Sequence, residues 1–419
     1  METEKTNFIT TIKTEKFKTI LIKISFKAKL ARETITARTL LASVLRNSSQ
    51  QFTSKKQLNG HLENLYGATL SNTAKKQGAA HVVSFYLQIA NDKFLKSSPL
   101  LFVDALKVLA SVILNPRIKN NSFNTEVVAL EKRLLKEDIE SIYDDKTTYA
   151  LKEMVAKMCE FENFGVNGDG YICDLNNINE KTLVDTYDSM INEDEISISV
   201  LGDVNHEEVT QLIQNHFNVK SNMRSVLKLV DHEEKEISSV AILEEEQLVN
   251  QTKLNIGYRT YTRVTEEDYF AMLVMNGVFG AFAHSKLFMN VREKESLCYY
   301  CTSQLDNFKG LMYVYCGLDA VALKKAMNII DQQLQAMIAG DFTDQELMMA
   351  KKSIINIKRE SLDSASGMLS DLEMQLLLGI TTDEFISKIE SITKDDTQRV
   401  AKKIKKDTVF TLVPQEVAG

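Results

Sequence analysis

The sequence predicts an α+β protein made of two tandem homologous domains, each a mixed or antiparallel sheet with helices packed on one face. Three observations predict it. Segments that alternate apolar and polar residues, the period of a half-buried strand, are interleaved with segments of helical period along the chain. The order of these segments restarts after a polar, acidic stretch near the middle. The two runs also share residues in the same order: 123–132, FNTEVVALEK, lines up with 342–351, FTDQELMMAK, and 65–71, LYGATLS, with 297–303, LCYYCTS. A chain of 419 residues, 44% of them hydrophobic, can fill two cores of ordinary size.

Residues 17–26 alternate, with Ile20, Ile22, Ile24 and Phe26 on one face, and read as a half-buried strand. Residues 35–45 form a short helix with Leu40, Leu41, Val44 and Leu45 inward, and 54–66 a second helix that Gly67 ends. Residues 68–74 and 81–89 are a strand pair. Ser98 and Pro99 open a strongly apolar helix that Pro116 stops, proline being favoured in the first helical turn. Helices follow from 124 to 190, then a strand at 196–201 and a helix from 206 to 217. Between 219 and 251 periodicity is lost and acidic residues cluster at 233–236 and 244–246, the mark of a solvated connector. Beyond it come a strand at 254–258 and a helix opened by Thr265, Glu266, Glu267 and Asp268 in capping-box form. A helix over 286–295, strands at 297–304 and 310–317, a long helix over 320–338 and a last strand at 409–413 complete the series. The domains accordingly run 1–225 and 251–419, joined by an acidic linker at 226–250.

A net charge of −7 argues against a nucleic-acid surface. No apolar run reaches the roughly 18 residues a membrane span needs, and the opening METEKTNF lacks an apolar signal core, so a cytoplasmic, non-membrane protein is expected. The cysteines, Cys159, Cys173, Cys298, Cys301 and Cys316, are odd in number and unevenly placed, which suits reduced thiols. Cys298 and Cys301 form a C-x-x-C. Positions three apart on a strand point to opposite faces, so they read as core thiols rather than a chelating pair.

The stretch 285–300, SKLFMNVREKESLCYY, brings Arg292 to the end of a helix and Tyr299 to the start of a strand. A guanidinium and a phenol brought to one point can steady a developing oxyanion or hold a peptide carbonyl; a surface arginine and a core-edge tyrosine would do neither. The stretch resembles the C-terminal arginine/tyrosine signature of the pitrilysin/insulinase-like (inverzincin) metallopeptidases, in the branch related to the mitochondrial processing peptidase. Ser285, Leu287, Phe288, Val291, Arg292, Glu293, Lys294, Leu297 and Tyr299 match it, and Gly277 and Gly280 resemble the glycine pair that precedes it. LENLYGATLS and VREKESLCYY carry a closer likeness to small zinc-less bacterial members described as associated with 5-aminopentanol modification of elongation factor P.

The resemblance implies a clam-half of a metallopeptidase and an H-x-x-E-H zinc motif on the first helix. Those positions fall on Thr39, Ala42 and Ser43, which supply neither imidazoles nor a general base. The helix expected to carry the third ligand keeps Glu131 and Asp138, with aspartate where glutamate is expected and Glu137 beside it. The six histidines rebuild no such motif: His61, with Glu63 two on, has the wrong spacing, His206 and His232 precede acidic pairs in helical or linker context, and His81, His216 and His284 stand alone. No metal or other cofactor is therefore expected in this chain. The expected function is that of a non-zinc companion in a heterodimer with a homologous zinc-containing subunit, binding an extended peptide in a shared chamber and supplying Arg292 and Tyr299 to a composite site that processes a peptide or protein precursor. The alternative is a purely structural, scaffolding or modification-associated protein. A self-sufficient peptidase is set aside by Thr39, Ala42 and Ser43.

Overall fold

The computed structural model describes residues 2–96, 100–217 and 227–415. Ser98 and Pro99, and the first part of the expected connector, lie outside the described residues. In chain order the elements are β1 (Glu2–Thr6), β2 (Ile9–Lys13), β3 (Thr19–Lys29), α1 (Ile35–Asn47), α2 (Lys55–Asn64), β4 (Thr69–Gln77), β5 (Ala80–Ala90), α3 (Leu101–Leu114), α4 (Thr125–Asp144), α5 (Lys146–Met158), α6 (Thr182–Glu193), β6 (Glu195–Gly202) and α7 (His206–His216). They continue with β7 (Ala241–Gln247), β8 (Thr252–Arg259), α8 (Tyr269–Asn276), β9 (Cys298–Asp306), β10 (Leu311–Leu318), α9 (Leu323–Ala339), α10 (Asp344–Ser361), α11 (Ala365–Leu378), α12 (Thr382–Ser391), α13 (Lys394–Ala401) and β11 (Lys405–Pro414). Among the described residues no helix is long and apolar enough to cross a membrane.

The chain divides into two compact units, Met1–Glu140 with Val166–Leu229, and Ser141–Gly165 with Val230–Gly419. The sheet of the first has the order β1-β2-β6-β3-β5-β4 and that of the second β7-β11-β8-β10-β9. Strand for strand, β7, β8, β9, β10 and β11 repeat β2, β3, β4, β5 and β6. Even the one parallel pairing is repeated, β2 with β6 in one sheet and β7 with β11 in the other. The duplication legible in the residues is thus a duplication of topology.

In the first unit the inward residues of β3 and β5, Ile22, Ile24, Phe26 and Phe85, meet Leu40, Leu41 and Val44 of α1 and Leu106 of α3. Each such side chain taken out of water stabilises the fold by about 1.5–3 kcal/mol. The second unit builds the same layer from Leu254, Ile256 and Val314 against Met275, Phe279 and Ile330. Its opposite sheet face is covered as well: Ala150, Met154 and Met158 of α5 pack on Leu311, Tyr313, Phe410 and Leu412. A Cβ on Gly257 of β8 would lie 2.5 Å from the Met158 sulfur, so the glycine lets α5 sit directly on the strand.

A buried charge network fastens this second layer. Arg259 of β8 donates to Glu162 at 2.9 Å and to Asp407 at 2.8 Å, and the Lys309 ammonium lies 2.7 Å from Glu162 and 3.2 Å from Asp231. Burial alone would raise the Glu162 carboxyl; the hydrogen bonds from Arg259 and Lys309 outweigh it and hold the group below its ordinary value.

Some local expectations are corrected. The polar opening of the chain is a hairpin, β1 and β2, turning at Asn7 with φ 54°. The stretch read as an aperiodic connector contains β7, and Glu245 on it accepts a hydrogen bond from the Tyr149 hydroxyl. Thr265 to Asp268 make no capping box: α8 begins at Tyr269 without a side-chain cap. Their acidic groups are engaged elsewhere, Glu266 with Arg263 and Asp268 with Arg399 and Lys403.

Candidate functional site

The face of α1 that carries Thr39 and Ser43 also carries Thr36 and Asn47, since residues three and four apart on a helix are neighbours. Each end of that face is closed. The Thr36 hydroxyl donates to Asp174 at 2.6 Å and accepts from the Tyr171 amide at 3.0 Å, and the buried Asn47 amide donates to Glu131 at 2.9 Å. Thr39 turns its hydroxyl back onto the Ile35 carbonyl at 3.0 Å, Ala42 is fully buried in the apolar core, and Ser43 is half-buried. Glu131 is therefore committed to Asn47, and Asp138, seven residues on, is exposed. Two hydroxyls and a methyl do not fit zinc, which takes imidazole, thiolate or carboxylate donors. Among the described residues no group of three or more His, Cys, Asp or Glu is arranged to hold a metal ion.

One cluster here has no counterpart in the reading of the sequence. Arg38, buried on α1, donates both terminal nitrogens to Asp194 at 3.1 and 2.6 Å and its Nε to His81 Nδ1 at 3.3 Å. With Nδ1 accepting, the His81 proton sits on Nε2, which is buried without a partner. Burial, and then the Arg38 charge, pushes His81 down to about 3, so the imidazole is neutral. The sequence spacing of a lone histidine, an arginine and an aspartate carries no signal for such a triplet.

In the second unit the signature region is built differently. Ser54 and Ser285 play the same part, each accepting from the amide three residues on, Gln57 at 3.3 Å and Phe288 at 3.4 Å. From these serines to Leu65 and Leu297 the second copy is one residue longer. The extra residue is absorbed as a π turn, Phe288–Glu293, where an uninterrupted α-helix was expected. Such turns occur frequently at functional sites. Arg292 lies in that turn, its side chain 42% exposed, with Glu293 at 3.6 Å and the Phe288 ring centroid at 4.5 Å.

Tyr299 sits on a second insertion. Against β10, Gly317 pairs with Tyr300 and Leu318 with Cys298, so Tyr299 is the extra residue of a β-bulge on β9. Bulges at sheet edges re-aim side chains, and β9 is the edge strand of its sheet. Tyr299 is 71% exposed, and its hydroxyl has no partner among the described residues. The same bulge corrects the reading of the C-x-x-C. The additional residue brings Cys298 round to the face of Cys301, whose sulfur lies 2.7 Å from that of Cys316 across the strand pair. The hydrogen bond with Cys301, and burial, push the Cys298 thiol up, while the Arg292 charge pulls it the other way.

Gly277 and Gly280 lie in another π turn, Gly277–Ala281, that packs under β9. A Cβ on Gly280 would stand 2.4 Å from Ser303 Oγ and 2.7 Å from Leu287, and one on Gly277 3.0 Å from Ala350 and Phe282. The Thr302 hydroxyl donates to the Gly280 carbonyl at 3.0 Å, and Ser303 to Asn276 at 2.5 Å. The glycines therefore set the close approach of this turn to the strand that carries Tyr299.

Known proteins resemble this chain. The family model described as the Peptidase M16 inactive domain matches residues 177–354. A Bacillus subtilis (strain 168) protein described as a probable inactive metalloprotease, YmfF, is 36% identical over 410 residues, covering 97% of this chain and 96% of that one. The crystal structure of a conserved protein from Enterococcus faecalis V583 superposes with a TM-score of 0.91 at 31% identity, covering 98% and 97% of the two chains. A peptidase M16 inactive domain from Pseudomonas fluorescens, at 16% identity, shares the fold with a TM-score of 0.81 over 99% and 98%. With zinc-donor side chains missing from the α1 face and a near full-length relative at this identity, the chain belongs to the M16 metallopeptidase family as a zinc-less member.

Proposed function

We propose that this chain is the non-zinc companion of a homologous, zinc-containing M16 subunit, and that it binds an extended peptide in a shared chamber in the cytoplasm. Its contribution to the chemistry is Arg292, as a permanent cation, and Tyr299, as a hydroxyl donor, held toward the carbonyl oxygen that becomes an oxyanion in the partner's reaction. The exposed edges of β4 and β9 offer unpaired backbone groups on which an extended peptide can add a strand. The single observation that carries this reading is the pair of one-residue insertions. One puts Arg292 on a π turn with its side chain 42% exposed, the other puts Tyr299 on a bulge with its side chain 71% exposed.

The test is reconstitution. Purified alone, the chain is expected to hold no stoichiometric zinc and to cleave no peptide; mixed with an M16 partner bearing H-x-x-E-H, it is expected to confer turnover that neither chain has alone. About one zinc per isolated chain, lost together with peptidase activity on chelation, would refute the assignment. A partner whose turnover is indifferent to this chain would leave a scaffolding role instead.

A further inference from the structure

Resting on that reading, the substrate class is addressed by a cavity in the first unit. A cavity of about 370 Å³ opens between the end of α1, α2 and the start of β4, floored by Leu58, Leu62 and Leu70 and rimmed by Arg46, Lys55 and Glu63. It is walled by LENLYGATLS, a motif that neither Arg292 nor Tyr299 accounts for. Neither Arg46 nor Lys55 has an ion-pair partner among the described residues, although the chain as a whole carries a net charge of −7. Two free cations against one carboxylate make this rim net positive on an acidic protein.

The cavity also adjoins β4, whose outer edge is unpaired. A strand laid along that edge projects alternate side chains to one face of the sheet, and the face on which α1 and α2 pack is the one with this cavity. From this juxtaposition we infer that the cavity is a side-chain pocket selecting an acidic residue, glutamate or aspartate, in a peptide added to β4. Leucines below take up the methylene stem and Arg46 and Lys55 bind the carboxylate, charge-assisted hydrogen bonds being the strong ones. Glu63 opposes the same ligand and limits its affinity.

The experiment uses the full chain and unlabelled ten-residue peptides rich in threonine and valine, one with a central glutamate and its twin with glutamine, titrated by calorimetry at low salt. The glutamate peptide is expected to bind about tenfold tighter or more, the ratio that corresponds to about 1.4 kcal/mol, and its advantage is expected to shrink with added salt. Arg46→Gln with Lys55→Gln should erase the preference. Glu63→Gln should strengthen it, a gain that no loss of folding can imitate. Equal binding of the two peptides, or a preference that survives the double substitution, overturns the inference and leaves edge-strand peptide binding standing. If neither peptide binds, the pocket assignment and the peptide-binding reading fall together.

Discussion

The α1 face of the first unit and the signature region of the second occupy related places in a duplicated fold, yet they use their polar groups in opposite ways. On α1 the polar side chains are turned inward or onto neighbours: Thr36 onto Asp174, Thr39 onto its own helix, Asn47 onto Glu131, Arg38 onto Asp194 and His81. In the second unit Arg292 and Tyr299 are turned outward by an extra residue each. A buried, satisfied group is accounted for by the fold that holds it. A half-exposed arginine held only by the Phe288 ring and an exposed carboxylate, and an exposed tyrosine, each set on a distortion of the regular backbone, are tied far less tightly into their unit. The difference teaches where a mutation should be felt as stability and where as function.

The largest effect belongs to the buried side of the comparison. Asp194→Asn leaves the Arg38 guanidinium buried without its countercharge, and breaking such a pair costs about 3–5 kcal/mol of stability. Chemical denaturation should show the loss in the isolated chain, with no need of a partner. The same cluster sets a pH dependence. His81 is held neutral at a value depressed to about 3, whereas in the unfolded chain it titrates near the ordinary value of about 6.5. Its contribution is therefore intact above about pH 6.5 and is lost as pH falls from there through about 3, because the unfolded state takes up the proton first. His81→Phe should flatten this part of the stability profile; an unchanged slope would mean that other groups set it.

Next comes Arg292. On the reading proposed above, Arg292→Ala removes one preorganised donor, and turnover of the reconstituted pair should fall roughly 10²- to 10³-fold, or about 2.7–4 kcal/mol on the barrier. Stability should move by no more than about 0.5 kcal/mol, as for most surface substitutions. A variant that melts early, or one that keeps its turnover, would erase the contrast between the two regions.

How much of this was legible in the sequence follows from the size of each signal. The hydrophobic periods of β3, α1, β5, α9 and β10 repeat over many residues, and the order of elements repeats twice, so fold class and duplication could be read directly. Single-residue insertions leave no such trace. The period of Leu287, Phe288 and Val291 reads as a helix whether that helix is α or π, and a bulge at Tyr299 alters the facing of Tyr299 and Cys298 without altering the apolar period. Edge strands are also faint: β1 and β7 are largely polar because half their surface meets solvent, and AILEEEQ in β7 looked like a connector. The residues of the Arg38–Asp194–His81 cluster lie on three elements far apart in sequence, and only tertiary structure joins them.

A smaller effect tests the floor beneath the signature region. Gly280→Ala drives a methyl into Ser303 and Leu287, and overpacking of this kind costs about 1–3 kcal/mol. The damage should be local, loosening the hydrogen bonds of Thr302 and Ser303 to the π turn. Amide exchange in β9 should quicken more than in β10. Uniform exchange across the second unit would show that the glycine supports the whole core and not this strand in particular.

The smallest change is the most discriminating. Tyr299→Phe removes one oxygen from a side chain that is 71% exposed and has no hydrogen-bond partner among the described residues, so stability should shift by less than about 0.5 kcal/mol. The ring keeps its place on the bulge, and any packing against a partner is preserved. What remains to be lost is the hydroxyl's donation to a ligand, so turnover should fall while partner affinity holds, by less than for Arg292→Ala wherever water can take the hydroxyl's place. Reduced partner affinity with unchanged turnover per complex would make Tyr299 an interface residue. No change in either would confine the catalytic contribution to Arg292, and the outward turn of Tyr299 would then be a consequence of the bulge and not its purpose.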